Sequence, residues 1–289
     1  MADLPFVDTH FHLHDMKNPK LRYSWLEADS VHPIIDDIDA IKSQKYRIQD
    51  YVAEIRFSNV TKAVHVQAAL GIDDPVEETR WVQGFADEFG YPQAIIAECR
   101  LAQPDAPAVL ERHLTFPNMR GVRDLVSGDR LADPAWQAGF GLLGGLNLSA
   151  CIDVSYEDAD HVLAIASRHL GTPIVLDHCL YPRKQTSEYF SAWAETIRRL
   201  AQPENIHIKI SGLGMFDLDW TIDSLRPWVL ECIDAFGPAR TVFGTNWPVD
   251  RLASSYPDLI NAYDTIISGF SQAERQMMFS HNAERIFRI

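Results

Sequence analysis

A chain of 289 residues, 46% hydrophobic and 23% charged, has the size and balance of a soluble globular protein with ample material for a core. Forty acidic against 26 basic residues give a net charge of −14, which argues against nucleic acid and anionic membrane as general partners. Four scattered cysteines (Cys99, Cys151, Cys179, Cys232) with no Cys-x-x-Cys pair, no signal-like leader and no membrane-length apolar run set the expectation of a reduced, cytoplasmic protein.

Short β-branched runs alternate with longer amphipathic stretches. The first run, Pro5–His10, leads into His10-Phe-His-Leu-His14. Strand alternation predicts that His10 and His12 share one face, with Asp8 one step deeper on that face. Two imidazoles side by side on a strand end can ligate a divalent metal or polarise a carbonyl. The second strand, Thr61–Gln67, ends with His65 and Gln67 on one face. A helical stretch over Pro75–Glu88 precedes a strand at Gln93–Cys99 and another at Met119–Arg123. Arg123 presents a planar fork suited to a carboxylate or a lactone carbonyl; the competing reading is an ion pair with Asp124, Asp129 or Asp153. Arg130, in the following Ser-Gly-Asp loop, is a second cationic candidate. The run Gly139-Phe-Gly-Leu-Leu-Gly144 has the spacing of a dinucleotide loop, but it follows a helical stretch rather than a strand and reads as helix and turn.

Further strands are expected at Leu148–Asp153, Pro173–His178, Ile206–Ser211 and Arg240–Asn246, separated by helices at Tyr156–Leu170, Tyr189–Leu200 and Ile222–Phe236. His178 is the natural third imidazole, able to complete an open three-ligand metal site with His10 and His12. Lys209 and Ser211 share a face and are candidates for substrate binding. Asn246 opens the turn Asn-Trp-Pro-Val-Asp250. Its amide can orient a water or carbonyl but cannot accept a proton as a carboxylate does; Asp250 would supply the base if the loop folds back, and the competing reading is a helix cap or a partner for Arg251. Trp25 and Trp247 are candidate pocket walls, set against the default of core packing.

Eight strands separated by helices are the arithmetic of a single-domain (β/α)8 TIM barrel over residues 1–289, with an open doubly wound sheet as the alternative. Barrel chemistry sits at the C-terminal strand ends, and polar or ionisable groups close seven of these eight runs. Within those motifs the chain resembles the amidohydrolase superfamily, in its amidohydrolase 2 branch. The resemblance rests on Val7-Asp-Thr-His-Phe-His12, Tyr23-Ser-Trp-Leu26, Val66-Gln67, Gly121-Val-Arg123, Asp177-His178, Lys209-Ile-Ser-Gly212, Phe243-Gly-Thr-Asn-Trp-Pro248 and Asn282-Ala-Glu-Arg-Ile-Phe287.

The resemblance implies a barrel in which water attacks a substrate carbonyl, held directly or through a metal by His10, His12 and His178. It also implies an aspartate at the end of strand 8, where this chain has Asn246. No lysine ends the fourth strand, so a carbamylated two-metal centre is not implied. The expectation is a hydrolase opening a small carboxylated or sugar-acid lactone. Arg123, Gln67, Lys209, Ser211, Arg130 and Trp247 would hold a small anionic substrate, with one zinc or manganese ion or with none. A one-zinc decarboxylase and a non-catalytic ligand-binding barrel are the alternatives, and a homo-oligomer is compatible with either.

Overall fold

The computed structural model describes residues 4–31, 35 and 38–289. Eight strands form one parallel sheet in chain order: β1 Phe6–Phe11, β2 Val60–Val66, β3 Ala94–Glu98, β4 Met119–Arg123, β5 Ser149–Ile152, β6 Ile174–Leu176, β7 Ile206–Ile210 and β8 Thr241–Phe243. Every expected strand forms. Those ending at His178 and Asn246 are shorter than the pattern suggests, because both residues take left-handed backbone angles (φ 53° and 56°) that a strand cannot continue.

Hydrogen bonds join the first strand and its end to the last strand and the turn after it. His12 N donates to Trp247 O at 2.7 Å, Asn246 N to His10 O at 2.7 Å and Thr9 Oγ1 to Phe243 O at 2.7 Å. Gly244 permits this approach, since a Cβ there would stand 2.8 Å from His10 Cβ. The sheet therefore closes into a (β/α)8 barrel. The helices Ile48–Ile55, Val76–Phe89, Ala106–His113, Pro134–Phe140, Ala159–Arg168, Ser187–Leu200 and Ile222–Phe236 lie in its crossovers, and Tyr256–Ile266 follows β8. Gly139 lies in one of them, as the helix-and-turn reading requires.

Val7, Val64, Val66, Ile96, Val175 and Val242 fill the barrel interior, and Ile286 and Phe287 of the last helix (Asn282–Phe287) pack beneath them. Each fully buried branched or aromatic side chain of this kind contributes about 1.5–3 kcal/mol. The larger apolar layer lies between strands and helices, where Phe11 stacks on Tyr51 at 4.0 Å.

One expectation fails at β1. The β1–β2 register shifts between Asp8 and Phe11, and the extra residue reverses the alternation. Val7 points into the barrel, Asp8 points out to the helices, and His10 and His12 point in again. Asp8 there accepts bonds from Tyr51 OH at 3.0 Å, Tyr256 OH at 3.0 Å and Thr245 Oγ1 at 2.7 Å. Its role is to tie β1 to the turn after β8. Among the described residues no helix is long and apolar enough to cross a membrane.

Candidate active site

The C-terminal strand ends surround a cavity of about 460 Å³ lined by His12, Trp25, Gln67, Arg123, Asp153, His178, Tyr181, Arg183 and Asn246, among others. Beneath it lies a buried layer of His10, Asp177, Lys209 and Ser211, none of them measurably exposed. The two imidazoles of β1 face each other, with His10 Nε2 3.1 Å from His12 Nε2. His12 Nδ1 lies 2.8 Å from the carbonyl of Val66, so that nitrogen carries the proton. His178 packs against His10 with ring centroids 4.5 Å apart, and its Nδ1 lies 3.0 Å from Ser211 Oγ.

Burial lowers the pKa of all three imidazoles. For His10 the neighbouring Lys209 charge adds to it, and for His12 the Arg123 charge does. Burial takes His178 to about 3 against the opposing pull of Asp177, with Arg123 and Lys209 contributing. All three are therefore neutral at physiological pH.

His178 owes its position to an unusual turn. Residues His178, Cys179, Leu180 and Tyr181 all have φ between 51° and 58°, one turn wound left-handed. Each such residue costs about 1–2 kcal/mol, and strain of this kind concentrates at functional sites. The turn brings both His178 and the Tyr181 ring to the cavity wall. Trp193 Nε1 braces it by donating to Cys179 O at 2.8 Å.

Arg123 is held on several sides. Its Nε donates to Gln67 Oε1 at 3.0 Å, one terminal nitrogen to the Gln67 carbonyl, and another to Asp153 Oδ2 at 3.2 Å, with Asp177 Oδ2 3.7 Å away. The predicted competition between substrate and ion pair thus resolves as both: Arg123 lines the cavity and is paired with Asp153. Burial lifts the Asp153 carboxyl to about 6 despite Arg123, and Tyr181 OH donates to its other oxygen. Lys209 Nζ donates to Asp177 Oδ1 at 2.7 Å. Burial would raise the Asp177 carboxyl, yet Lys209 and then His10 outweigh it and hold Asp177 well below the usual carboxylate range.

Asn246 lines the cavity, and its Nδ2 donates to Asp250 Oδ1 at 2.9 Å. The loop does fold back as the sequence reading required, but it brings Asp250 behind Asn246, where burial lifts its carboxyl to about 7. Lys209 and Ser211 belong to the supporting layer, not to the wall.

Two expected residues lie elsewhere. Arg130 is exposed on the 3-10 turn Gly128–Ala132 and does not line the cavity. Trp247 turns outward because the β1 alternation demands it: its ring packs edge-on against Tyr256 and its Nε1 donates to Glu54. Trp25, by contrast, walls the cavity and donates to Ala68 O at 2.8 Å. Asp153, Asp177 and Tyr181 were not singled out as site residues. The two aspartates close predicted strands, which was a usable signal; nothing in the sequence announces the left-handed turn that delivers Tyr181.

A closed parallel barrel with neutral histidines, a paired arginine and carboxylates at its C-terminal mouth has the architecture of a TIM-barrel enzyme. Residues 7–289 match the family model described as Amidohydrolase (Amidohydro_2), and the chain belongs to that family. It is 35% identical over 302 residues to the uncharacterized protein y4mH of Sinorhizobium fredii, covering 100% of both chains. It is 30% identical over 221 residues to an L-fucono-1,5-lactonase of Burkholderia ambifaria, covering 73% of this chain and 72% of that one. Among solved structures, an amidohydrolase from Burkholderia multivorans with bound zinc superposes with a TM-score of 0.83 at 22% identity, over 98% of this chain and 99% of that one.

Proposed function

We propose that this protein is a lactonase that opens a sugar-acid lactone by attack of water at its ring carbonyl. The observation that carries the reading is the cavity itself, in which a held guanidinium and a carboxylate of raised pKa meet on one wall, in a chain homologous to a named lactonase.

In this reading Arg123, immobilised by Gln67 and Asp153, stabilises the negative charge that develops on the carbonyl oxygen. The Asn246 amide, with its nitrogen committed to Asp250, turns its oxygen to the attacking water. Asp153 takes the proton, as a carboxyl with a pKa of about 6 is suited to do near neutral pH. The water oxygen bonds to the carbonyl carbon, the ring C–O bond breaks, and the proton held by Asp153 passes to the departing ring oxygen. The product is the open hydroxy acid.

The lining is close to charge-balanced, with Arg123 and Arg183 against Asp153 and Asp158. With Arg123 already paired to Asp153, hydroxyl groups fit this wall better than a second carboxylate does. Trp25 offers an apolar face for the sugar ring.

The relative from Burkholderia multivorans carries zinc. In this chain one nitrogen each of His10 and His178 and one oxygen of Asp177 lie within 4.8 Å of one another, and Asp177 Oδ2 is buried without a hydrogen-bond partner. Those are donor types that zinc and manganese take, but Lys209 already holds the other Asp177 oxygen at 2.7 Å and faces His10 Nδ1 at 3.3 Å, so an ion there would have to displace its ammonium. Bound there, such an ion would supply Lewis acidity toward the carbonyl or the water. Four free, buried cysteines support a reducing, cytoplasmic location.

Incubation with L-fucono-1,5-lactone in ¹⁸O water tests the reading. Acid carrying one ¹⁸O in its new carboxylate, formed faster than in the enzyme-free control, is expected. Opening at the control rate across a panel of hydroxylated lactones contradicts it.

A further inference from the structure

Hydrogen-bond direction can be followed through the buried layer link by link. The Val66 carbonyl only accepts, so His12 Nδ1, 2.8 Å away, carries the proton and His12 Nε2 carries a lone pair. His10 Nε2 lies 3.1 Å from that lone pair and must be the donor. His10 Nδ1 is then a lone pair, and it faces Lys209 Nζ at 3.3 Å. Lys209 has three N–H groups and three acceptors: Asp177 Oδ1 at 2.7 Å, His10 Nδ1 at 3.3 Å and Cys151 Sγ at 3.8 Å. The chain runs one way, from a buried ammonium through two imidazoles to a carbonyl.

We propose that the Val66 carbonyl and Lys209, acting from opposite ends, fix the tautomers of the two β1 histidines, and that Lys209 thereby holds that pair closed to a divalent cation. A metal ion on the pair needs lone pairs on both Nε2 atoms. The His10 proton would have to move to Nδ1, where it would point at an N–H of Lys209. The ammonium also places a fixed positive charge in the same buried pocket, where repulsion of a second cation is weakly screened. Lys209 thus stands as a tethered cation in the position where a free one would be favoured, and makes His10 a donor toward His12. It is a positioning residue, reaching the cavity through His10 and His12 and not lining it.

The inference concerns the same site as the lactonase reading, but its tests read ring nitrogens and bound zinc instead of turnover, so either can fail alone. Long-range ¹H–¹⁵N correlation spectra of ¹⁵N-histidine-labelled wild-type protein, assigned with His10→Asn and His12→Asn, are expected to show His10 protonated at Nε2 and His12 at Nδ1. A His10 protonated at Nδ1, or a doubly protonated ring at neutral pH, overturns the proposal. Zinc titration of wild type and Lys209→Met by equilibrium dialysis is expected to show at least tenfold tighter binding in the variant. Equal or weaker binding by a folded Lys209→Met also overturns it. Should that variant not fold, the wild-type spectra decide.

Discussion

Asn246 Nδ2 donates to Asp250 Oδ1 at 2.9 Å, so an amide stands at the cavity wall with a buried carboxyl behind it. The family resemblance implies a carboxylate at position 246. Here the carboxyl has moved one hydrogen bond back and is held near neutrality by burial, with a pKa of about 7. The pair fixes which end of the Asn246 amide faces the cavity.

That burial carries a stability cost with a definite sign. The Asp250 pKa is raised in the folded protein from an ordinary 3.8 to about 7, so the folded state holds the proton more tightly than the unfolded state. Stability is then lost as pH rises from about 4 to about 7, by at most about 4 kcal/mol. Asp250→Asn keeps one acceptor oxygen for Asn246, gives up the one that Gly214 N uses, and removes the ionisation. Thermal unfolding across pH 4–8 should show the variant gaining on wild type as pH rises. A difference independent of pH contradicts the assignment.

Asp153 is the cavity carboxyl that the proposed chemistry uses. Its ionised form is the base, so activity should fall as pH drops through about 6. Asp153→Asn keeps one acceptor oxygen for Arg123, can turn its NH2 toward the Tyr181 hydroxyl oxygen, and cannot take a proton. A loss in kcat of about 10²–10⁴-fold is expected, together with disappearance of the acid limb near pH 6. An Asn variant that retains both rate and acid limb removes Asp153 from the mechanism.

Gly212 shows how closely His178 is fitted. Its φ is 65°, and a Cβ at this position would lie 2.4 Å from His178 Nδ1. Gly212→Ala must displace the imidazole or the left-handed turn that carries it. We expect kcat/KM to fall by at least about tenfold, in keeping with the sensitivity of aligned sites to small displacements, with circular dichroism unchanged. Wild-type kinetics would show that His178 position is immaterial.

Arg123→Lys retains the charge and loses the fork. The two bonds to Gln67 cannot both be made by an ammonium. Steady-state kinetics should show kcat/KM lowered by roughly 10–100-fold, chiefly in kcat, because the lost interaction serves the developing oxyanion. A change confined to KM would assign Arg123 to ground-state binding instead.

Much of the barrel was legible because its signals are local. The eight apolar runs kept their places, and the polar strand ends at His12, Gln67, Arg123, His178 and Asn246 converged on the mouth, with His10 buried just beneath it. Failures arose where one residue changes the geometry of its neighbours. The bulge between Asp8 and Phe11 sent Asp8 outward, and the same boundary turned Trp247 to the helices. Arg130 failed for a different reason: the loop after β4 carries it to the surface, and loop paths are set by tertiary contacts that a sequence pattern does not encode. The Lys209–Asp177 pair was missed because the two residues lie 32 positions apart, and it is the pairing of β6 with β7, with Leu176 opposite Ile208, that sets them side by side.

The central claim is hydrolysis of a hydroxylated lactone, and side-by-side initial rates test it most directly. Proton release on addition of L-fucono-1,5-lactone and of 2-pyrone-4,6-dicarboxylate, each at equal concentration with purified protein, would be followed with a pH indicator. The charge-balanced cavity predicts turnover of the sugar-acid lactone well above its spontaneous opening and a preference for it over the dicarboxylate. Turnover of the dicarboxylate alone, or of neither compound, would contradict the account.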